Sequence, residues 1–169
     1  MLLAWLAYRL DWSPGDSANY GELIEPRMLP AATLAGIDGR PLSLAGLRGK
    51  WLLLQFDQAA CDAWCERKLY FMRQVRRAQG REMGRIERIW VLTDAGTPRK
   101  ELLAAIDGSH VVRAPEAGFR EAFPAPHSAV DHIYLVDPLG NLMLRYPREP
   151  DPSRIIKDLK RLLRYTQAG

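Results

Sequence analysis

The stretch from Trp51 to Cys65, WLLLQFDQAACDAWC, leaves a folding chain few options. It begins with an almost unbroken apolar run, Trp51 to Phe56, the pattern of a strand covered on both faces of a sheet. A short turn follows, then the chain's two cysteines, Cys61 and Cys65, where a helix over 63–78 is expected to begin. Side chains four apart on a helix share a face, so both sulfurs are predicted to point the same way. Such a pair can close as a disulfide or grip one soft metal ion. The reactive and ligating form is the thiolate, which the unpaired N–H groups of a helix start favour and the Asp62 carboxylate opposes. The plainer alternative is a pair of small buried hydrophobic side chains.

The 169 residues suit one ordinary domain, and 47% apolar with 26% charged residues exclude a disordered chain and a many-pass membrane protein. Net charge is +4. Much of the basic excess falls at Arg67, Lys68, Arg73, Arg76, Arg77, Arg81, Arg85 and Arg88, read as the solvated face of a helix and the segment after it. No zinc-finger, helix-turn-helix or aromatic-basic sheet pattern accompanies them, so nucleic acid is not an expected partner.

Residues 1–12 read as the end of an N-terminal membrane anchor whose earlier part precedes Met1. Trp5, Tyr8, Arg9 and Trp12 resemble the aromatic and basic girdle that closes a span. Residues 13–30, rich in proline, glycine and small polar side chains, read as a linker, and 31–169 as the domain. Asp38-Gly39 marks a hairpin, Ile89 to Thr93 a second buried strand, and Thr97-Pro98 a helix start. Val111 and Val112 suggest a short edge strand, and Phe119 one helical turn. Asp137-Pro138-Leu139-Gly140-Asn141 turns a hairpin, and Asp151-Pro152 opens a last amphipathic helix. This order predicts an α/β fold, a thioredoxin-like three-layer sandwich with a mixed central sheet.

LAGIDGRPLSLAGLRGKWLLLQFDQAAC resembles the opening of thioredoxin-like domains of the peroxiredoxin, TlpA and Sco types. Three residues between the cysteines, IWVLTDAGTP and IYLVDPLGNLMLRY are similar to segments of the Sco/SenC group, the copper-handling proteins of cytochrome c oxidase assembly. NYGELIEP and KLYFMRQVR are similar to small single-anchor proteins of bacterial cytochrome oxidase gene clusters. The resemblance implies copper bound by Cys61, Cys65 and a histidine. Val130-Asp131-His132 supplies His132 closer to the strand than the family pattern, with His127 as the alternative; His110 reads as a surface or core-edge side chain. Asp62 stands where that family has proline.

Three readings of the pair remain open. The first is a membrane-tethered domain at the bacterial inner membrane, facing the periplasm, that handles copper for a cytochrome c oxidase subunit or another copper or thiol protein. The second is a thiol-disulfide oxidoreductase in which Cys61 attacks and Cys65 resolves. The third is a binding scaffold stapled by a structural bridge.

Overall fold

The computed structural model describes residues 19–114 and 117–166. Its centre is β4 (Trp51–Asp57), buried at every position, as its continuous apolar run requires. β4 runs parallel to β5 (Ile86–Leu92) on one side and antiparallel to β7 (Ile133–Val136) on the other. Beyond them lie β1 (Glu22–Met28), β2 (Thr33–Gly36), β3 (Pro41–Ser43), β6 (His110–Arg113) and β8 (Asn141–Arg145). The described strands form one mixed sheet in the order β1-β8-β7-β4-β5-β6-β2-β3. The helices are α1 (Ala63–Arg77), α2 (Lys100–Ala105), α3 (Ala117–Glu121) and α4 (Pro152–Thr166).

Strand alternation sends β4 side chains into two cores. Leu52, Leu54 and Phe56 meet Phe119, Phe123 and Tyr134 on one face. Trp51 and Leu53 meet Met72 and Val75 of α1 and Ile155 and Leu159 of α4 on the other. Each such large side chain contributes about 1.5–3 kcal/mol on burial. A smaller third core holds both cysteines with Ala59, Leu69, Trp90, Leu92 and Ile106, where the start of α1 faces β5 and α2.

The expected linker is a strand in its second half. Glu22–Met28 pairs antiparallel with β8, and its register slips between Leu23 and Arg27, around Pro26, whose ring nitrogen has no hydrogen to give. Tyr20 N and Gly21 N both donate to the Asp158 carboxylate of α4 at 2.9 Å. Gly21 is required there, because a Cβ would stand 2.9 Å from the Tyr146 ring. Sequence reading missed this strand because only Ile24 of its seven residues is buried, so it carries no apolar alternation. Residues 1–12, read as the end of an anchor, lie outside the described residues. Among the described residues no helix is long and apolar enough to cross a membrane.

Two smaller expectations also shift. β6 is no edge strand, since it lies between β5 and β2. α2 begins at Lys100 behind an Arg99 cap that makes no side-chain hydrogen bond, two residues after Pro98.

Candidate functional site

β4 and β5 are parallel, so their carboxyl ends open on the same edge of the sheet, where α/β folds place ligand and reaction sites. The turn leaving β4 carries the cysteines there. Cys61 and Cys65 are joined as a disulfide with Cα atoms 5.1 Å apart.

The pairing does not arise from two cysteines on one helical face. α1 starts at Ala63 behind Asp62, so Cys61 precedes the helix while Cys65 lies in its first turn. Cys61 reaches back because its φ is +48°, a left-handed conformation that costs a non-glycine residue about 1–2 kcal/mol. A turn bond from Cys61 N to Gln58 O, 3.0 Å, holds it there. Asp62 is the helix cap: its Oδ1 accepts Cys65 N at 2.9 Å. One N–H that would have favoured a thiolate is therefore committed to a carboxylate.

Neighbouring elements brace the turn. Asp94 Oδ1 accepts Ala59 N at 3.0 Å and Gly96 N at 3.3 Å, and a Cβ on Gly96 would come within 3.0 Å of Ala59. Arg99 donates to Ala60 O at 2.8 Å and pairs with Glu66 of α1. Cys65 is fully buried and Cys61 keeps 4% of its surface, with exposed Ala60 and Asp62 on either side of it in the chain.

Two groups that sequence reading passed over lie beneath the pair. Gln55 is a buried amide within the apolar run, and its Nε2 points to Cys65 Sγ at 3.9 Å while its Oε1 has no hydrogen-bond partner among the described residues. The signal was present as one polar residue in an otherwise apolar strand. Lys68, counted above with the solvated charges, is fully buried. Its ammonium donates to Phe56 O at 3.0 Å and Val130 O at 2.6 Å and pairs with Asp57 Oδ2 at 3.1 Å. Burial lowers its pKa, which Asp57 partly restores. Residues 65, 68, 69, 72 and 75 form the buried stripe of α1, so helical period alone places Lys68 inward.

The histidines do not join the sulfurs. His132 is buried, its Nδ1 lies 2.7 Å from Tyr146 O, and its ring meets Tyr134 edge-on. Tyr134 packs with Phe56 on the sheet face opposite the one Gln55 and Cys65 share. Desolvation lowers the imidazole pKa, favouring the neutral ring. His127 is exposed, and His110 faces Glu87 at 3.2 Å. Among the described residues no group of three or more His, Cys, Asp or Glu is placed to hold a metal ion. The Cys61, Cys65, His132 set expected from the sequence is thus not assembled; the two sulfurs fit a soft cuprous ion only as a pair.

A mixed sheet with a two-cysteine turn at the carboxyl edge of its parallel strands defines a thioredoxin-like domain. The chain belongs to the family described as "Transmembrane-like, thioredoxin-like, C-terminal domain", whose model matches residues 51–166. The apo Sco1 protein of Thermus thermophilus is a structural neighbour, with a TM-score of 0.66, 20% identity, and coverage of 86% of this chain and 97% of that one. Yeast Sco1 with copper bound gives a TM-score of 0.65 at 16% identity, covering 85% and 92%. The thioredoxin domain of a thiol-disulfide oxidoreductase from Bacteroides vulgatus gives 0.60 at 20%, covering 81% and 96%. At these identities the likeness is one of fold. No curated protein matches the sequence.

Proposed function

We propose that this domain exchanges disulfides with a partner's cysteines, using Cys61 and Cys65, during assembly of the copper site of a cytochrome c oxidase. It works while tethered at the bacterial inner membrane and facing the periplasm. The observation that carries the reading is the closed Cys61–Cys65 pair at the carboxyl edge of the parallel strands, with Cys61 in the turn before α1 and Cys65 in its first turn. The tether rests on the apolar, aromatic-girdled 1–12 segment, and the oxidase partner on the Sco-like segments of the sequence.

In the reduced domain the Cys61 thiolate attacks one sulfur of the partner's disulfide, and the other partner sulfur leaves and takes up a proton. Cys65 loses its proton and displaces the partner from Cys61. The partner leaves as a dithiol, the Cys61–Cys65 bond is restored, and two electrons have passed to the partner. A dithiol reductant must then reopen the bond. Gln55 Nε2 is placed to donate to the Cys65 thiolate in the reduced state.

The test is reduction of a disulfide-bonded peptide by the reduced domain. Wild type is expected to turn over, Cys65→Ser to stop at a mixed disulfide on Cys61, and Cys61→Ser to be inert. Exchange no faster than that of a free dithiol would end the proposal. Copper-bound neighbours support a second reading, cuprous-ion capture by the same two thiolates, with copper as cargo and any further ligand supplied by the partner. Cuprous-ion titration of the reduced domain against the Cys61→Ser/Cys65→Ser double variant tests it.

A further inference from the structure

The strand beneath the disulfide changes character along its length. Alternation turns Trp51, Leu53, Gln55 and Asp57 of β4 toward α1, so this inward row is apolar at its start and polar at its carboxyl end. The buried stripe of α1 matches it. Met72 and Val75 share a core with Trp51 and Leu53, Lys68 pairs with Asp57, and Cys65 stands at Gln55.

The two inward polar side chains are served differently. Asp57 has the Lys68 ammonium beside it, and its Oδ1 accepts Gln58 N at 2.8 Å. Gln55 is wholly buried and is flanked in the sheet by Trp90 of β5 and Ile133 of β7. The Trp90 indole N–H is directed to Asp57 O at 3.4 Å, and Ile133 has no polar side chain. Lys68 is taken by Phe56 O, Val130 O and Asp57. What remains to the amide is the sulfur: Nε2 lies 3.9 Å from Cys65 Sγ, and Oε1 has no hydrogen-bond partner among the described residues.

A disulfide sulfur serves an amide poorly, since it has no proton to donate and accepts only weakly. Reduction changes both. A dithiol reductant gives up two electrons and two protons, closes as its own disulfide, and leaves Cys61 and Cys65 as thiols. The Cys65 S–H then donates to Oε1; if that proton is lost, the thiolate accepts from Nε2 in a charge-assisted bond. The two ends of a carboxamide are close in shape, so a half-turn of the side chain's last bond serves whichever form is present.

We infer that Gln55 sets the redox poise of the pair, a role that rests on the dithiol exchange proposed above: it partners Cys65 in the dithiol and is left poorly partnered by the disulfide. A buried polar atom without a partner raises the free energy of the state that strands it. Here that state is the oxidised one, so Gln55 draws the equilibrium toward the dithiol and makes the bond easier to reopen.

The test is the midpoint of the full chain in dithiothreitol couples of set ratio, read by counting alkylated thiols. Gln55→Met keeps the side chain's length and Gln55→Leu its burial, and neither offers an amide. Both should make the disulfide about tenfold harder to reduce, the factor that one hydrogen bond to a charged group contributes, which is a midpoint about 30 mV more negative. Urea unfolding of both redox forms should return the same factor, as a gain of the oxidised over the reduced protein. Leu69→Met, which alters packing in the core around the cysteines and touches no polar group, should leave the midpoint where it is. A midpoint unchanged or more positive in both Gln55 variants overturns the role, as does an equal shift from Leu69→Met. The exchange reading fails separately, on a wild-type domain that does not reduce the disulfide-bonded peptide, because slow exchange leaves an equilibrium midpoint unaltered.

Discussion

Reducing the Cys61–Cys65 bond should leave the domain folded, and the size of the effect follows from the loop it closes. The cysteines are four residues apart, so the bond removes little freedom from the unfolded chain. Loop-closure entropy gives about 2 kcal/mol at 25 °C for a ring this small. Opening it also lets Cys61 leave its left-handed conformation, returning about 1 kcal/mol. The two larger cores contain neither sulfur and are untouched. For a domain of this size 1 kcal/mol moves Tm by about 2–4 °C, so the fall should be no more than about 4–8 °C. Circular dichroism melts of oxidised protein, reduced protein and the Cys61→Ser/Cys65→Ser variant measure it. A drop beyond about 15 °C, or loss of a cooperative transition, would refute the reasoning and favour a structural staple.

Three further outcomes follow from the site. Asp62→Ala should cost about 1 kcal/mol of stability through loss of the α1 cap, and should speed alkylation of the reduced cysteines by freeing Cys65 N and removing a nearby negative charge; urea titration and iodoacetamide kinetics read the two effects. Lys68→Met should cost about 3–5 kcal/mol by stranding Asp57, and Asp57→Asn in the same chain should recover part of that, measured by urea denaturation. His132 has a pKa below the usual 6.5, so as pH falls through 6.5 the unfolded chain takes a proton that the folded one resists, and stability drops. Denaturation between about pH 7.5 and about pH 5.5 should show a steeper loss for wild type than for His132→Gln. The buried Asp137 and Asp158, whose raised pKa values act in the opposite direction, are common to both proteins and cancel.

The sheet was legible because β4, β5 and the β7–β8 hairpin are apolar runs bounded by strong turn residues, and the terminal helix because Asp151-Pro152 opens a regular stripe. β1 was not, since its strand character comes from pairing with β8 and from Asp158 holding Tyr20 and Gly21, contacts more than a hundred residues distant. The cysteine pair was visible, but its mechanism of closure was not. Spacing suggested a shared helical face, whereas an Asp62 cap pushes Cys61 outside the helix. His132 misled because proximity in sequence to β7 says nothing about the side of the sheet its ring takes. Lys68 and Arg88 were read by charge when their helical and strand periods already placed them inward.

The central claim is that Cys61 and Cys65 open and close reversibly under physiological poise. Equilibrating the domain with glutathione or dithiothreitol couples of set potential, and counting alkylated thiols by mass, tests it directly. The account predicts a single two-electron midpoint more positive than about −300 mV. A pair that stays closed in couples more reducing than that would contradict it.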